Sequence, residues 1–223
     1  MNNNLSKRIK TSLLLLIFLS ISLFINKYFW LILLLIVSII SFHEFNNLIS
    51  KAYKNEKKLL NTFVISAIFY LILFVYTAYD QYSDFIGLIF ILSICMFSDT
   101  GGFIVGKLIG GKKLTEISPN KTISGSLGSF LFSLLPLFFL LIIYKQPLIN
   151  LSYFNSDIKI LILISLFLSF VCQSGDLFIS YFKRKAKVKD TGSILPGHGG
   201  LLDRIDGAIF VIPVAFMLDK LFF

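Results

Sequence analysis

Long apolar runs alternate with short polar ones along the whole chain. The apolar runs fall at residues 11–26, 28–42, 61–79, 85–104, 124–144, 159–180 and 205–222. A helix needs about 20 apolar residues to cross a bilayer, somewhat fewer where flanking groups snorkel to the interface. The pattern predicts an all-α, polytopic integral membrane protein with about seven transmembrane helices. Runs one and two are short and joined by Asn26-Lys27-Tyr28, so they form a tight hairpin or a shallow pair. The segment 43–58, HEFNNLISKAYKNEKK, is polar but places Phe45, Leu48, Ile49 and Tyr53 at helical spacing. That spacing predicts an amphipathic helix lying in the interface, with a role for His43 or Glu44 in substrate entry as the alternative. No tandem repeat or linker is evident. The chain divides only into residues 1–84, the N-terminal transmembrane helices with the interfacial segment, and residues 85–223, where the polar motifs lie.

Composition sharpens this picture. Apolar residues make up 56% of the chain and charged ones 15%, with a mean hydropathy of +0.84. A soluble domain carries about a quarter charged residues, so a soluble fold is excluded. The net charge of +9 does not call for nucleic acid, because the basic residues sit between spans. With the N-terminus cytoplasmic, all of the 21 Lys and Arg residues lie on inside segments except Lys27, Lys145, Lys159 and Lys220. That asymmetry is the positive-inside rule, and it puts every motif below at the cytoplasmic end of a span. The start, MNNNLSKRIKTSLLLLIF, has the charged and apolar parts of a signal peptide. No A-x-A-like site follows and another span comes at once, so it reads as a retained helix. Cys95 and Cys172 fall within spans and read as small buried hydrophobes rather than a disulfide or metal pair.

Four polar features interrupt the second half. In Ser98-Asp99-Thr100-Gly101-Gly102 and the following Gly106-Lys107, one helix face carries Asp99, Gly102 and Gly106. Helix packing accounts for the glycines; an unpaired carboxylate at a span end is expensive and points to use. Next, Ser118-Pro119-Asn120-Lys121-Thr122 precedes a span that Ser124 is placed to cap. Lys121 with the hydroxyls of Ser118 and Thr122 makes a phosphate-binding set, a point charge beside short donors at a helix start. Gln173-Ser174-Gly175-Asp176 comes third. On one continuous helix Gln173, Asp176, Ser180, Lys183, Arg184 and Lys187 share an arc of about 100°. The last feature is Pro196-Gly197-His198-Gly199-Gly200 running into Asp203-Arg204-Ile205-Asp206. His198 has no second His or Cys at zinc spacing, which favours hydrogen bonding or phosphate contact. Asp203 and Asp206 are placed to share one hard cation with Asp176, the oxygen donor set that suits Mg²⁺. Capping of the last span by Asp203 is the plainer alternative.

The register from Ser180 through Lys183-Arg184, Lys189-Asp190, Gly192 and the Pro196–Gly200 run to Asp203-Arg204 and Asp206 resembles the signature of phosphatidate cytidylyltransferases. Gln173-x-Gly175-Asp176, Asp99-Thr100-Gly101 and Ser118-Pro119-x-Lys121-Thr122 are similar to other motifs of that family. After Thr122 the aromatic and the acid of the family pattern are missing, since Ile123-Ser124-Gly125 stands there. The resemblance implies a nucleotidyltransferase of phospholipid biosynthesis in which phosphatidate attacks the α-phosphorus of CTP, giving CDP-diacylglycerol and pyrophosphate. It implies Asp176, Lys183, Arg184, Lys189, Asp203 and Arg204 as the catalytic set. Asp99, Lys107, Ser118, Lys121, Thr122, Ser180 and His198 are the implied substrate-binding set, and Asp176, Asp203 and Asp206 the metal ligands. Mg²⁺ is the implied cofactor, with a second cation left open. The partners are CTP, a phosphatidate lipid and the membrane, with no nucleic acid; a homodimer stays open. The implied location is the bacterial inner membrane with the active site facing the cytoplasm.

The chemistry agrees with the residue types. A lipid phosphate is already an anion, so the task is to bring it against a triphosphate of the same sign, which cations and positioning accomplish. A CDP-alcohol phosphotransferase is excluded, because Phe210-Val211 stand where its D-x2-D-G-x2-A-R pattern needs Ala-Arg. A CTP-dependent polyprenol kinase or an archaeal-type lipid cytidylyltransferase remains the enzymatic alternative. A transporter would need charges near the midplane of its spans, whereas these cluster at span ends.

Overall fold

The computed structural model describes residues 3–143, 158–197 and 199–222. Nine helices run through them: α1 (Asn3–Ile25), α2 (Lys27–Ala52), α3 (Lys57–Asp80), α4 (Phe85–Ile109), α5 (Ile123–Phe132), α6 (Leu135–Ile143), α7 (Ile158–Lys185), α8 (Leu202–Ile205) and α9 (Ala208–Phe222). The described residues form no strand. Among the described residues, five stretches are long and apolar enough to cross a membrane: Lys27–Ala52, Lys57–Ser83, Phe85–Ile109, Ile123–Ile142 and Ile158–Lys185. The apolar part of α1 is only Leu13–Ile25. The 15 residues of α9 rise about 22 Å at 1.5 Å each, short of the roughly 30 Å hydrocarbon core. Five of the expected seven spans thus meet the length and composition needed to cross.

Two compact units emerge, Met1–Ser83 with Tyr181–Ile205, and Asp84–Ser180 with Asp206–Phe223.

In the first unit, Asn26 ends α1 and caps α2, its Oδ1 accepting from Phe29 N at 2.8 Å, so the first two runs do form a tight hairpin. The Trp30 indole donates to Ala78 O at 2.8 Å and the Tyr82 hydroxyl to Leu23 O at 3.0 Å, tying the ends of these helices together. The separate interfacial helix expected at 43–58 is absent, because α2 runs on unbroken to Ala52. The reason is its buried stripe: Trp30, Leu34, Ser38 and Ser41 continue at the same three- to four-residue spacing into Glu44, Leu48 and Ile49. Leu48, Ile49, Tyr53 and Phe182 form a buried cluster. The Phe45 and Phe63 rings meet Phe182 nearly edge-on at 5.5 and 5.3 Å. This cluster anchors the end of α7. That helix stops in a Schellman turn, with Lys187 N donating to Arg184 O and Val188 N to Lys183 O. Lys187, at φ 55°, has left the helix, so it does not share the polar face predicted for it.

In the second unit, α4 and α5 pack through small residues. A Cβ on Gly128 would stand 2.5 Å from Val105 Cβ and 2.8 Å from Gly101 O, and one on Gly125 2.8 Å from Gly102 O. Backbone thus meets backbone, as in small-residue helix pairs in membranes. We expect Gly128→Ala to destabilise the protein by about 1–3 kcal/mol through overpacking. Thermal unfolding in detergent checks this against Leu127→Ala, a change at an exposed neighbouring position. The fifth apolar run is broken between α5 and α6, since Pro136 cannot donate to the ladder and its ring crowds the preceding turn. Further along, α7 packs on the start of α9, where Phe178 meets Phe210 at 5.5 Å and a Cβ on Gly175 would strike the Phe210 ring. Cys95 and Cys172 are buried and free, as the sequence suggested.

Candidate active site

Within the second unit, the polar residues at the ends of α4, α5 and α7 line a pocket of about 320 Å³. The loop after α4 doubles back as a short hairpin, with Leu114 N on Lys121 O and Ile123 N on Lys112 O. Lys121 N closes a tight turn on Ser118 O at 3.0 Å, which places Ser118, Asn120, Lys121 and Thr122 along one wall. Thr122, not Ser124, is the cap of α5: its hydroxyl accepts from Gly125 N at 3.0 Å. Ser124 instead bonds the Thr122 hydroxyl and Gly110 O, which pins the hairpin to the helix start.

The far wall belongs to α7. Asp176 makes an ion pair with Lys121, both side chains about a quarter exposed, and accepts from the Ser180 hydroxyl at 3.3 Å. One helical turn deeper, Gln173 Oε1 accepts from Ser126 at 2.6 Å and its amide reaches Ser169 at 3.4 Å. Ser169 meets Ser98 at 2.9 Å. This buried hydroxyl–amide chain fixes the floor of the pocket, and Asp99 lies exposed at its edge. The positive end of the α5 dipole, a lysine and hydroxyl groups favour an anion, and two carboxylates beside them suit a hard cation.

The structure thus gathers Asp99, Ser118, Lys121, Thr122 and Asp176 in one pocket, with Ser180 behind Asp176. Lys107 does not line it; its ammonium lies exposed, 5.8 Å from the Phe103 ring centre. Sequence reasoning missed Asn120, Ser126 and Ser129 as lining residues. A signal existed, since Thr122, Gly125, Ser126 and Ser129 recur at helical spacing on α5. Asp206 is buried at the start of the last helix, its Oδ1 accepting from Gly207 N.

The remaining candidates belong to the first unit. There Lys183 pairs with Asp203 at 2.8 Å, their side chains 13% and 8% exposed. The other Asp203 oxygen accepts from Thr191 N, the Thr191 hydroxyl and Gly200 N. Arg184, Lys189 and Arg204 are exposed. Leu195 and Gly199 exchange both backbone hydrogen bonds, closing the loop before α8. His198 lies outside the described residues.

This is an all-α, membrane-integral protein carrying a polar pocket at helix ends. Residues 6–98 and 57–222 match the Cytidylyltransferase family, and the chain belongs to it. It is similar to the phosphatidate cytidylyltransferases of Staphylococcus haemolyticus, 45% identical over 124 residues (54% of this chain, 44% of the relative), and of Bacillus subtilis, 42% over 147 residues (64% and 50%). That of Staphylococcus aureus is 44% identical over 128 residues (56% and 45%). The chain spans about half the length of the curated relatives it matches.

Proposed function

We propose that this protein is a phosphatidate cytidylyltransferase, transferring CMP from CTP to phosphatidate with release of pyrophosphate. The observation that carries the reading is the pairing of Lys121 with Asp176 across a pocket that opens on the α5 N-terminus. Its volume is within the range of small-molecule sites. CTP phosphates fit the α5 start, where Lys121 and the hydroxyls of Ser118 and Thr122 offer charge and donors. Lys183, Arg184, Lys189 and Arg204 are proposed to compensate phosphate charge, and Ser180 and His198 are proposed substrate-binding residues. The lipid phosphate is the nucleophile and needs alignment and charge compensation, not a strong base.

Mg²⁺ is part of this proposal, with Asp176, Asp203 and Asp206 as candidate ligands. Among the described residues no three His, Cys, Asp or Glu side chains form a ready cage. Mg²⁺ characteristically takes one or two carboxylates and completes its shell with substrate phosphates and water. Asp176, part-exposed at the pocket, fits that pattern. Asp203 fits only by giving up Lys183, because its other oxygen is taken by Thr191 and Gly200. When bound, Mg²⁺ would neutralise phosphate charge.

We further infer a cytoplasmic N-terminus and a cytoplasm-facing pocket in a bacterial inner membrane, supported by the placement of the basic residues. Seven crossings require α1 and α9 to span beside the five longer stretches. The test of function is turnover of labelled CTP with Mg²⁺ in mixed micelles, with phosphatidate and a polyprenol as competing acceptors. CDP-diacylglycerol formed from phosphatidate alone is the expected result. Phosphorylated polyprenol would overturn it in favour of a lipid kinase.

A further inference from the structure

The strongest feature outside the pocket is a carboxylate that the sequence offered only as an alternative, for substrate entry. Glu44, on α2, is 2% exposed. Its Oε1 accepts from Leu201 N at 3.0 Å, and its Oε2 from Leu202 N at 2.9 Å and the Thr191 hydroxyl at 3.0 Å. The loop wraps it closely: a Cβ on Gly200 would stand 2.5 Å from Glu44 Oε2, and one on Gly192 2.8 Å from Glu44 Cδ. Thr191 is shared. Its hydroxyl lies 3.0 Å from Asp203 Oδ2 as well, so its one proton is shared between the two carboxylates, and Asp203 holds Lys183 with its other oxygen. A chain therefore runs Glu44–Thr191–Asp203–Lys183, buried at Glu44 and Thr191 and part-buried at Asp203 and Lys183, entirely within the first unit.

Burying a carboxylate costs several kcal/mol unless its oxygens are met. Here two backbone amides and a hydroxyl meet them, and only an acceptor-only group suits three converging donors. The same cluster fixes the backbone on both sides of the 191–202 loop.

Resting on the reading that Lys183 and its neighbours face phosphates, we infer that Glu44 is a positioning residue for the reaction. It sets the loop so that Asp203 holds the Lys183 ammonium in one place. It touches no reacting atom, so its effect falls on rate and not on nucleotide binding. The pocket residues from Asp99 to Asp176 take no part in its hydrogen bonds.

The test compares the full-length protein with Glu44→Gln and Thr191→Val. Glutamine keeps the shape but turns an NH₂ toward a backbone N–H. Valine keeps the shape and removes only the hydroxyl between the two carboxylates. The expected result is a kcat lowered about 10- to 100-fold in Glu44→Gln and less in Thr191→Val, with KM for CTP within about twofold. Hydrogen exchange at the Leu201 and Leu202 amides should quicken in Glu44→Gln, and Glu44→Asp should restore part of kcat. An unchanged kcat per folded molecule with quickened exchange would reduce Glu44 to a structural strut and overturn the inference. Unchanged exchange would overturn it too. If the wild type makes no CDP-lipid, the proposed function falls, and the exchange measurement alone decides whether Glu44 holds the loop.

Discussion

Asp176→Asn should lower kcat about 10²- to 10³-fold, the size of losing one preorganised electrostatic group in a water-poor site. The substitution is nearly isosteric, so the fold is retained. What it removes is the charge that holds Lys121 across the pocket. Without it the Lys121 ammonium has no fixed anchor between turnovers, and any bound cation loses its carboxylate. Lys121→Met tests the other half of the pair and should raise KM for CTP as well as lowering kcat, because Lys121 is assigned to the nucleotide phosphates. A pair acting as one unit would make the double variant little worse than the poorer single one. Full activity in Asp176→Asn would remove the pocket from the mechanism.

The second large effect is on stability. Asp203→Ala should destabilise the protein by about 3 kcal/mol, because it leaves a largely buried Lys183 ammonium without its partner. It also strips the acceptor from Thr191 N and Gly200 N, at the further cost of orphaned buried donors. Thermal unfolding in detergent reads the loss. Adding Lys183→Met should recover part of it, since removing both charges of a buried pair is far milder than removing one. A double variant as unstable as the sum of the two singles would mean that the two side chains do not act as a pair.

Much of the helical pattern was legible because apolar runs in a membrane chain report length directly. The runs at 85–104 and 159–180 became α4 and α7 with little change at their starts. Three things were not legible. The continuation of α2 through the polar stretch after Ser41 depends on a buried stripe whose polar members, Ser38, Ser41 and Glu44, look like solvent positions until their partners are known. The Schellman turn at Lys187 has no glycine to announce it. The break at Pro136 follows from a proline that an apolar count passes over. In the pocket, Asp99 stood out because a carboxylate at a span end is costly, and Lys121 because hydroxyls flank it at a helix start. Ser126 and Ser129 did not, because hydroxyls on a span resemble ordinary packing. Glu44 was the hardest to read. Its partner Leu201 lies 157 residues further on, and nothing local says that a loop so distant will close around it.

The glycine seam between α4 and α5 bears on how such a pocket could be altered. One side of the cavity is built where main chain lies on main chain, with no rotamer to change and no room for a larger residue. Single substitutions there cannot reshape the ligand's surroundings without parting the helices. On the Ser118–Thr122 hairpin, Thr122 is fixed as the cap of α5 and Lys121 by its pair with Asp176, which leaves Asn120 as a lining side chain with neither duty. Variation in the pocket's lining should therefore be written at Asn120 before the seam.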